Sequence, residues 1–283
     1  MIEQFAPHPG PAITWPGTSA LNGGKGYVEA PLGQTHFRDM GPQGDDSPLL
    51  LLHQCPQSMI EFAEVQNTLA CIGRRSIAID MPGYGLSDHP EVLPSIGGFA
   101  DNLIAVLDRL GLQKVVVAGH HTGAAIASAI AARHPSRVIG AVLHGLPLYT
   151  AEEAALNREK TLWDCTPQPD GSHLSQLFKW ARIGDARELA NLTWMSIGML
   201  LQSRDIGHWA VDRYDLEADL IRIAAPALIL SEVDDMTHHM DQRARVLRPD
   251  FQYVEILTPG NSLLIGEPER WTQIVDEFCT GLD

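Results

Sequence analysis

The sequence predicts an α/β fold in which a mostly parallel sheet of about eight strands is covered by helices on both faces. The first observation is a set of short apolar runs, such as Leu49–Leu52 and Ser76–Ile79, which suit strands that are buried on both faces. The second is the stretch 99–110, whose apolar residues recur at helical spacing. Because strand-like and helix-like segments alternate along the chain, they indicate parallel strands joined by helices.

The other elements of this core can be located in chain order. Residues 1–25 are rich in Pro and Gly and are expected to form an irregular arm. From Tyr27 onward, two strand-like runs are interrupted by Pro-Leu-Gly at 31–33, which predicts a hairpin. Further strands are expected at 138–143, 227–230 and 252–257.

Residues 150–215 interrupt this alternation. They contain four of the six tryptophans, including Trp163, and show amphipathic helical patterning without a clear strand. The pattern predicts a helical cap, or lid, inserted after the sixth strand, between core segments 26–149 and 216–283. An apolar, aromatic pocket for a small molecule would lie beneath such a cap.

Composition excludes several classes of partner. A chain of 283 residues with 45% hydrophobic residues can form one large core. Its net charge of −15 repels phosphate backbones and anionic membrane surfaces, so neither nucleic acid nor a membrane is an expected partner. No run approaches the ~18 apolar residues of a membrane span. The oligomeric state stays open, with a homodimer as one alternative.

Cysteine usage favours a reducing compartment. The chain has four cysteines without a C-x-x-C pair, and its N-terminus lacks a basic segment followed by an apolar one. A cytoplasmic location is therefore expected.

The most informative motif is at residues 119–123, which read Gly-His-His-Thr-Gly. A β-rich run precedes it and a run of helix-forming residues follows it. This is the setting of the G-x-S-x-G nucleophile elbow, in which two glycines permit a strained strand-to-helix turn that exposes the central side chain. Here the central residue is His121, so acyl-enzyme chemistry cannot be assumed.

Two further motifs precede this turn. Residues 51–56 read Leu-Leu-His-Gln-Cys-Pro, and residues 80–88 read Asp-Met-Pro-Gly-Tyr-Gly-Leu-Ser-Asp. With the glycine-flanked turn, these motifs resemble those of the α/β-hydrolase fold family, where an apolar strand leads into His-Gly-x-Pro and a D-x-P-G-x-G-x-S turn follows. The resemblance covers nearly the whole chain from Tyr27 and implies a site built from a nucleophile, an acid and a histidine.

The resemblance assigns the site residues one by one. The family's acid falls on Asp235, with Asp234 as the alternative if the register shifts by one residue. The position of the family's histidine, counted back from Pro268, falls on Asn261. The chain therefore departs from the family at two of three triad positions, because His121 stands for the nucleophile and Asn261 for the base. Gln54 also replaces a glycine near the oxyanion hole.

These residues have functional and structural interpretations side by side. His121 can be a general base, a nucleophile that forms an acyl-imidazole, or a relic. Asp235 can support an imidazolium or cap the following helix. Asn261 can orient a polar group or cap a loop, but it cannot take a proton. The backbone N–H groups of Thr122 and Cys55 are the expected oxyanion donors.

The remaining histidines receive weaker assignments. His53 is expected to tie down the loop after its strand, and His120 is expected to point away from His121. His144, His238 and His239 could replace the missing base, although each is more often a packing or surface residue. No H-x-x-x-H or H-E-x-x-H pair occurs, so no metal site is expected, and no cofactor is needed.

The leading hypothesis is an enzyme that hydrolyses a small apolar carbonyl compound, such as an ester or a lactone, with His121 as base or nucleophile. The alternatives are a non-hydrolytic lyase, isomerase or cyclase that uses the same pocket, and a catalytically silent small-molecule receptor. With Asp235 expected at a distance from the elbow, burial should lower the pKa of His121 below its ordinary value of about 6.5.

Overall fold

A single eight-stranded sheet is the centre of the computed structural model, which describes residues 24–42, 47–159, 168–173, 175, 206–258 and 263–282. The strands lie in the order β1-β2-β4-β3-β5-β6-β7-β8. Their bounds are β1 Lys25–Ala30, β2 Gly33–Met40, β3 Leu49–Leu52, β4 Ser76–Ile79, β5 Val115–His120, β6 Val138–His144, β7 Ala227–Glu232 and β8 Gln252–Ile256.

Most neighbouring strands in this sheet are parallel. Strands β3 to β8 pair in parallel, whereas β1 and β2 form the predicted antiparallel hairpin and β2 pairs antiparallel with β4. The predicted fold class is therefore confirmed, and each strand expected from an apolar run is present with its ends within two residues of the expectation.

Helices cover both faces of the sheet. The predicted helix at 99–110 begins three residues earlier, where the Ser95 Oγ accepts a hydrogen bond from the Gly98 N–H (3.1 Å) and caps the first turn. The described helices are α1 Ala63–Cys71, α2 Ile96–Arg109, α3 Thr122–Arg133, α4 Ala151–Glu159, α5 Ile206–Val211, α6 Leu216–Arg222, α7 His238–Leu247, α8 Leu263–Gly266 and α9 Pro268–Thr280.

Alternating side chains of the central strands divide the core into two layers. In β3, Leu50 and Leu52 pack on the face covered by α2 and α3, whereas Leu49 and Leu51 pack on the face covered by α1 and α9. Helix α3 is rich in Ala and lies almost entirely inside the protein. Its small side chains allow it to pack closely behind the sheet, directly after the turn that carries His121.

Part of the chain lies outside the described residues. These parts include nearly all of the expected arm, most of the expected cap with Trp163, and Asn261. The described pieces of the cap region, α4 and α5, are helical. The domain boundaries stay predictions. None of the described helices is long and apolar enough to cross a membrane.

The sheet brings the sequence motifs together at one edge. The carboxyl ends of β3, β5, β6 and β7 are neighbours, so the residues that follow these strands are brought together. In open α/β sheets this edge is where ligands bind. The candidate site is built there.

Candidate active site

The turn between β5 and α3 holds His121 in a strained conformation. His121 has φ 47° and ψ −111°, and it is the one non-glycine residue with positive φ in the described part of the chain. Its N–H donates to the carbonyl oxygen of His144 (2.9 Å), and its own carbonyl accepts from the N–H of Ala124 (2.8 Å). The strand-to-helix turn predicted from the glycine spacing is therefore present.

The two glycines of the motif are required by close backbone approach. A Cβ at Gly119 would collide with the carbonyl group of Gly123, and a Cβ at Gly123 would collide with the carbonyl oxygen of Leu52. The turn can sit against the end of β3 only because both positions lack a side chain.

The imidazole of His121 reaches the acid directly. Its Nε2 lies 3.1 Å from both carboxylate oxygens of Asp235. Asp235 Oδ1 also accepts hydrogen bonds from the N–H and the hydroxyl of Thr237, both at 2.7 Å. The side chains of His121 and Asp235 are 16% and 22% exposed, so the pair is partly accessible. The neighbouring Asp234 is exposed and is not part of this pair.

This contact corrects the expected pKa of His121. Burial lowers the pKa of the imidazole, but the charge of Asp235 and its hydrogen bond outweigh burial, and the pKa of His121 is raised. The same pair holds the pKa of Asp235 well below its ordinary value, although burial acts in the opposite direction. The expectation was wrong because it assumed that His121 and Asp235 are separated by the space that a triad histidine normally fills. In the structure the His121 ring extends through that space and contacts Asp235.

Gly145 makes room for the ring. A Cβ at Gly145, which has φ +65°, would lie 2.5 Å from His121 Cδ2 and 2.9 Å from the Thr237 hydroxyl. The next N–H, that of Leu146, donates to Asp241 Oδ1 (2.7 Å). Burial raises the pKa of Asp241 to about 7. The segment after β6 therefore leaves the space that the imidazole of His121 occupies.

His120 packs against His121, contrary to the expectation that it would point away. The two ring centroids are 4.2 Å apart, and His120 Nδ1 lies 2.7 Å from Glu61 Oε1. Burial lowers the pKa of His120 although Glu61 acts to raise it, and the ionised carboxylate of Glu61 accepts from His120 Nδ1–H. Successive side chains converge here because the positive φ of His121 turns its side chain back toward the end of β5.

His144 is buried next to His120 and contacts a different carboxylate, Glu232. Its ring centroid lies 4.5 Å from that of His120, and its Nε2 lies 2.9 Å from Glu232 Oε1. Glu232 also accepts from the Thr258 hydroxyl and from the Leu263 N–H (3.0 Å). Thr258 and Leu263, the described residues on either side of 259–262, are thereby bonded to one carboxylate.

His238 and His239 do not approach the elbow either. His238 Nδ1 is 3.0 Å from the Ser231 hydroxyl, and His239 Nε2 is 3.5 Å from Glu153. They are the first two residues of α7.

The loop after β3 is held as the sequence indicates. His53 Nδ1 is bonded to the carbonyl oxygen of Gln54 (2.7 Å), and its Nε2 accepts from the Met81 N–H (3.1 Å). The side chain of Gln54 is directed toward Glu61, with Nε2 donating to Oε1 at 2.8 Å. Cys55 follows Gln54 and is buried. Thr122 is the first residue of α3, where a backbone N–H has no partner within the helix.

Several residues of the site were not identified from the sequence, namely Glu61, Thr237, Gly145, Glu232 and Asp241. Glu61 carries the clearest signal, because it is a lone carboxylate in the otherwise apolar run Met-Ile-Glu-Phe. A charge at such a place has to be paired when the run is buried.

Two groups among the described residues could hold a divalent ion. They are His120, His121 and Asp235, and His120, His144 and Glu232, whose ligand atoms lie within 4.8 Å of one another. In each group a carboxylate already contacts one imidazole, so a bound cation would replace that contact.

Comparison with known proteins places this architecture in a family. The sequence matches the alpha/beta hydrolase fold family over residues 47–251. It is 26% identical over 251 residues to the AB hydrolase superfamily protein YisY of Bacillus subtilis (strain 168), covering 83% of this chain and 92% of that protein. It is 28% identical over 241 residues to 2-hydroxymuconate semialdehyde hydrolase of Pseudomonas putida, covering 82% and 83%.

Solved structures share the fold. The enol-lactonase from Burkholderia xenovorans LB400 superposes with a TM-score of 0.71 at 20% sequence identity, covering 90% of this chain and 100% of that chain. The strand order, the strained turn after β5 and the carboxylate after β7 define an α/β hydrolase architecture. Since the family match spans well over half of the sequence, this protein belongs to the alpha/beta hydrolase fold family.

The close approach at the elbow gives a first prediction. Replacing Gly123 by Ala is expected to lower the free energy of unfolding by about 1–3 kcal/mol or more, since the new methyl group would meet the backbone of β3. The control is Gly98→Ala in α2, where the nearest atom to the added Cβ lies 3.5 Å away and stability should rise by up to about 1 kcal/mol. Urea unfolding measures both, and equal stabilities would contradict the prediction.

The His121–Asp235 contact gives a second prediction. NMR titration should show a His121 pKa above about 6.5, and Asp235→Asn should lower it, whereas Asp234→Asn should leave it unchanged. Because the folded pKa is raised, the stability contributed by His121 is complete below the unfolded pKa and is lost as the pH rises through the folded one. A His121 pKa below 6.5 in the unaltered protein would show that the ion pair does not form.

Proposed function

We propose that this protein hydrolyses a small carbonyl compound, such as an ester or a lactone, by using His121 as a general base on water. The observation that carries the proposal is the bond between His121 Nε2 and both oxygens of Asp235 at the tip of the elbow. The base of the site comes from the position at which relatives of this architecture carry a nucleophile. No acyl-enzyme is required by such an arrangement.

The geometry indicates which nitrogen of the His121 ring can accept a proton. Nε2 of His121 is hydrogen-bonded to Asp235, and Gly145 lies against the adjacent ring carbon, Cδ2. His121 Nδ1 makes no hydrogen bond to a residue that the structure describes, so it is the nitrogen that can accept a proton. Asp235 fixes the ring and stabilises the imidazolium that forms, as the acid of a catalytic triad does. Nδ1 adjoins the substituted ring carbon, which hinders attack on a carbonyl carbon but not acceptance of a proton from water.

Stabilisation of the oxyanion is assigned to the backbone. The N–H of Thr122 at the beginning of α3 and the N–H of Cys55 are the proposed donors, and the positive end of the α3 dipole acts in the same direction. Such donors do not depend on which side chain stands at position 121. Asn261 is proposed to orient the substrate or the water through its amide.

The comparisons support hydrolysis of a small molecule. Relatives that the chain resembles are named as a 2-hydroxymuconate semialdehyde hydrolase and, at the level of fold, an enol-lactonase. An apolar substrate is inferred from the tryptophans of the expected cap, among them Trp163. A cytoplasmic location is inferred from the scattered cysteines, of which Cys55, Cys71 and Cys279 form no disulfide with a described residue. A homodimer stays an open proposal.

A second candidate function follows from the same site. Because no serine, cysteine or aspartate stands at the elbow tip, the base could instead remove a proton from the substrate, and the backbone donors could stabilise the resulting enolate. This would be a lyase or isomerase reaction.

The role of His121 is tested by substitution. His121→Gln, whose amide can still donate to Asp235, should lower kcat/KM by about 10²–10⁴-fold while changing the melting temperature little. In the unaltered enzyme, kcat/KM should rise with pH to a plateau through a midpoint above 6.5, because the neutral imidazole is the active form. The assay is a panel of p-nitrophenyl esters and small lactones, and His239→Gln at an exposed position is the control. Retained turnover in His121→Gln would refute the proposal.

Isotope labelling separates hydrolysis from the second candidate. Turnover in ¹⁸O-water should place the label in the carboxylate product, because water supplies the new oxygen when the acyl bond is broken. Product without ¹⁸O, or exchange of substrate protons for solvent deuterium without bond cleavage, would favour the lyase or isomerase reaction.

A further inference from the structure

Glu61 contacts two separate parts of the candidate site at once. Its Oε1 accepts from His120 Nδ1 (2.7 Å) and from Gln54 Nε2 (2.8 Å), and its Oε2 accepts from the Gln54 N–H (2.9 Å). His120 immediately precedes the elbow tip, and Gln54 immediately precedes Cys55. One carboxylate therefore connects the strand that ends at the elbow with the loop assigned to the oxyanion.

We propose that Glu61 is a positioning residue, which fixes the His121 imidazole through His120 and fixes the N–H of Cys55 through Gln54. This inference rests on the proposed function for its catalytic consequence, but the geometry it describes can be measured without turnover. Glu61 itself touches no reacting atom in this proposal.

The side chain of Glu61 is held in a fixed position. Glu61 is 3% exposed and lies in a short 3₁₀ helix at Met59–Phe62, whose first N–H donates to Asp80 Oδ1 (2.8 Å). Asp80 is the first residue of the D-x-P-G-x-G-x-S motif, so this motif also supports the site. A fully buried carboxylate with three hydrogen bonds has no alternative position to occupy without losing them.

The group is a carboxylate and not a carboxylic acid. Burial acts to raise its pKa, but the contact with His120 and the bond from the Gln54 N–H lower the pKa of Glu61 to about 2. An ionised Glu61 can only accept, so the proton between Glu61 and His120 lies on His120 Nδ1. The His120 ring then has one orientation, and the His121 ring packs on it at 4.2 Å.

Glu61 also contributes to the field at His121. The groups that act on the imidazole are Asp235, Glu61 and Asp241, each of which raises its pKa, and the neighbouring ring of His120.

The test is Glu61→Gln, with Glu64→Gln three residues along the chain as the matched control. NMR of ¹³C-labelled histidines, with the His121 signal assigned through His121→Gln, is the first readout. Glu61→Gln should shift this signal, and Glu64→Gln should leave it unchanged. With p-nitrophenyl acetate as probe, kcat should fall by up to about 100-fold with little change in KM, as expected when reacting groups are displaced.

A purely structural role would lower the melting temperature but leave the His121 signal and the kcat of the folded protein unchanged, and this result would overturn the proposal. If Glu61→Gln does not fold, His120→Gln is measured in the same way, because it breaks the contact at the elbow while the Gln54 bonds remain. An unchanged His121 signal in that variant would overturn the proposal equally.

Failure of this inference is distinguishable from failure of the proposed function. Turnover that survives His121→Gln would refute the function, and the NMR result would still decide the role of Glu61. Loss of turnover in His121→Gln together with wild-type behaviour of Glu61→Gln would refute only the positioning role.

Discussion

The contact between His121 and Asp235 is the interaction on which the site depends. A side chain at the tip of the turn after β5 would ordinarily be separated from the carboxylate after β7 by a third residue, yet here the imidazole spans that distance and lies 3.1 Å from both oxygens. The strained backbone of His121, the absence of a side chain at Gly145 and the two bonds from Thr237 to Asp235 all serve this contact. The imidazole and the carboxylate are thus held in direct contact.

Around this pair, carboxylate and imidazole groups recur in a regular way. Glu61 bonds His120 and Glu232 bonds His144, so three adjacent rings each have an acidic partner. In a low-dielectric interior an unpaired charge is costly, and pairing makes these buried acids tolerable. Glu61 and Glu232 also each accept from a loop of the site, and the geometry of those loops is therefore coupled to the orientation of the histidines beneath them.

The sequence predicted the fold and the framework of the site because these depend on local patterns. Uniformly apolar runs located β3 and β4, glycine spacing located the elbow, and a count from Pro226 located Asp235. The contacts between these residues were harder to predict from the sequence, because His121 and Asp235 are separated by 114 residues and His120 and Glu61 by 59. The direction of the His121 side chain, and with it the sign of its pKa shift, follows from one positive φ value that spacing alone does not reveal. The places of Asn261 and Trp163 lie outside the described residues.

Gly145 has a consequence for which changes the site tolerates. The ring of His121 fits only because residue 145 has no Cβ. The side chain of Asp235 is 22% exposed, and the imidazole of His121 is its ionic partner. Exchanging His121 for a serine would leave a void next to Gly145 and would remove the ionic partner of Asp235. Residue 261 is an asparagine, so it has no imidazole that could fill the void or pair with the carboxylate. A change at position 121 is therefore tolerated only together with changes around Gly145 and Asp235, which are distant from it in sequence.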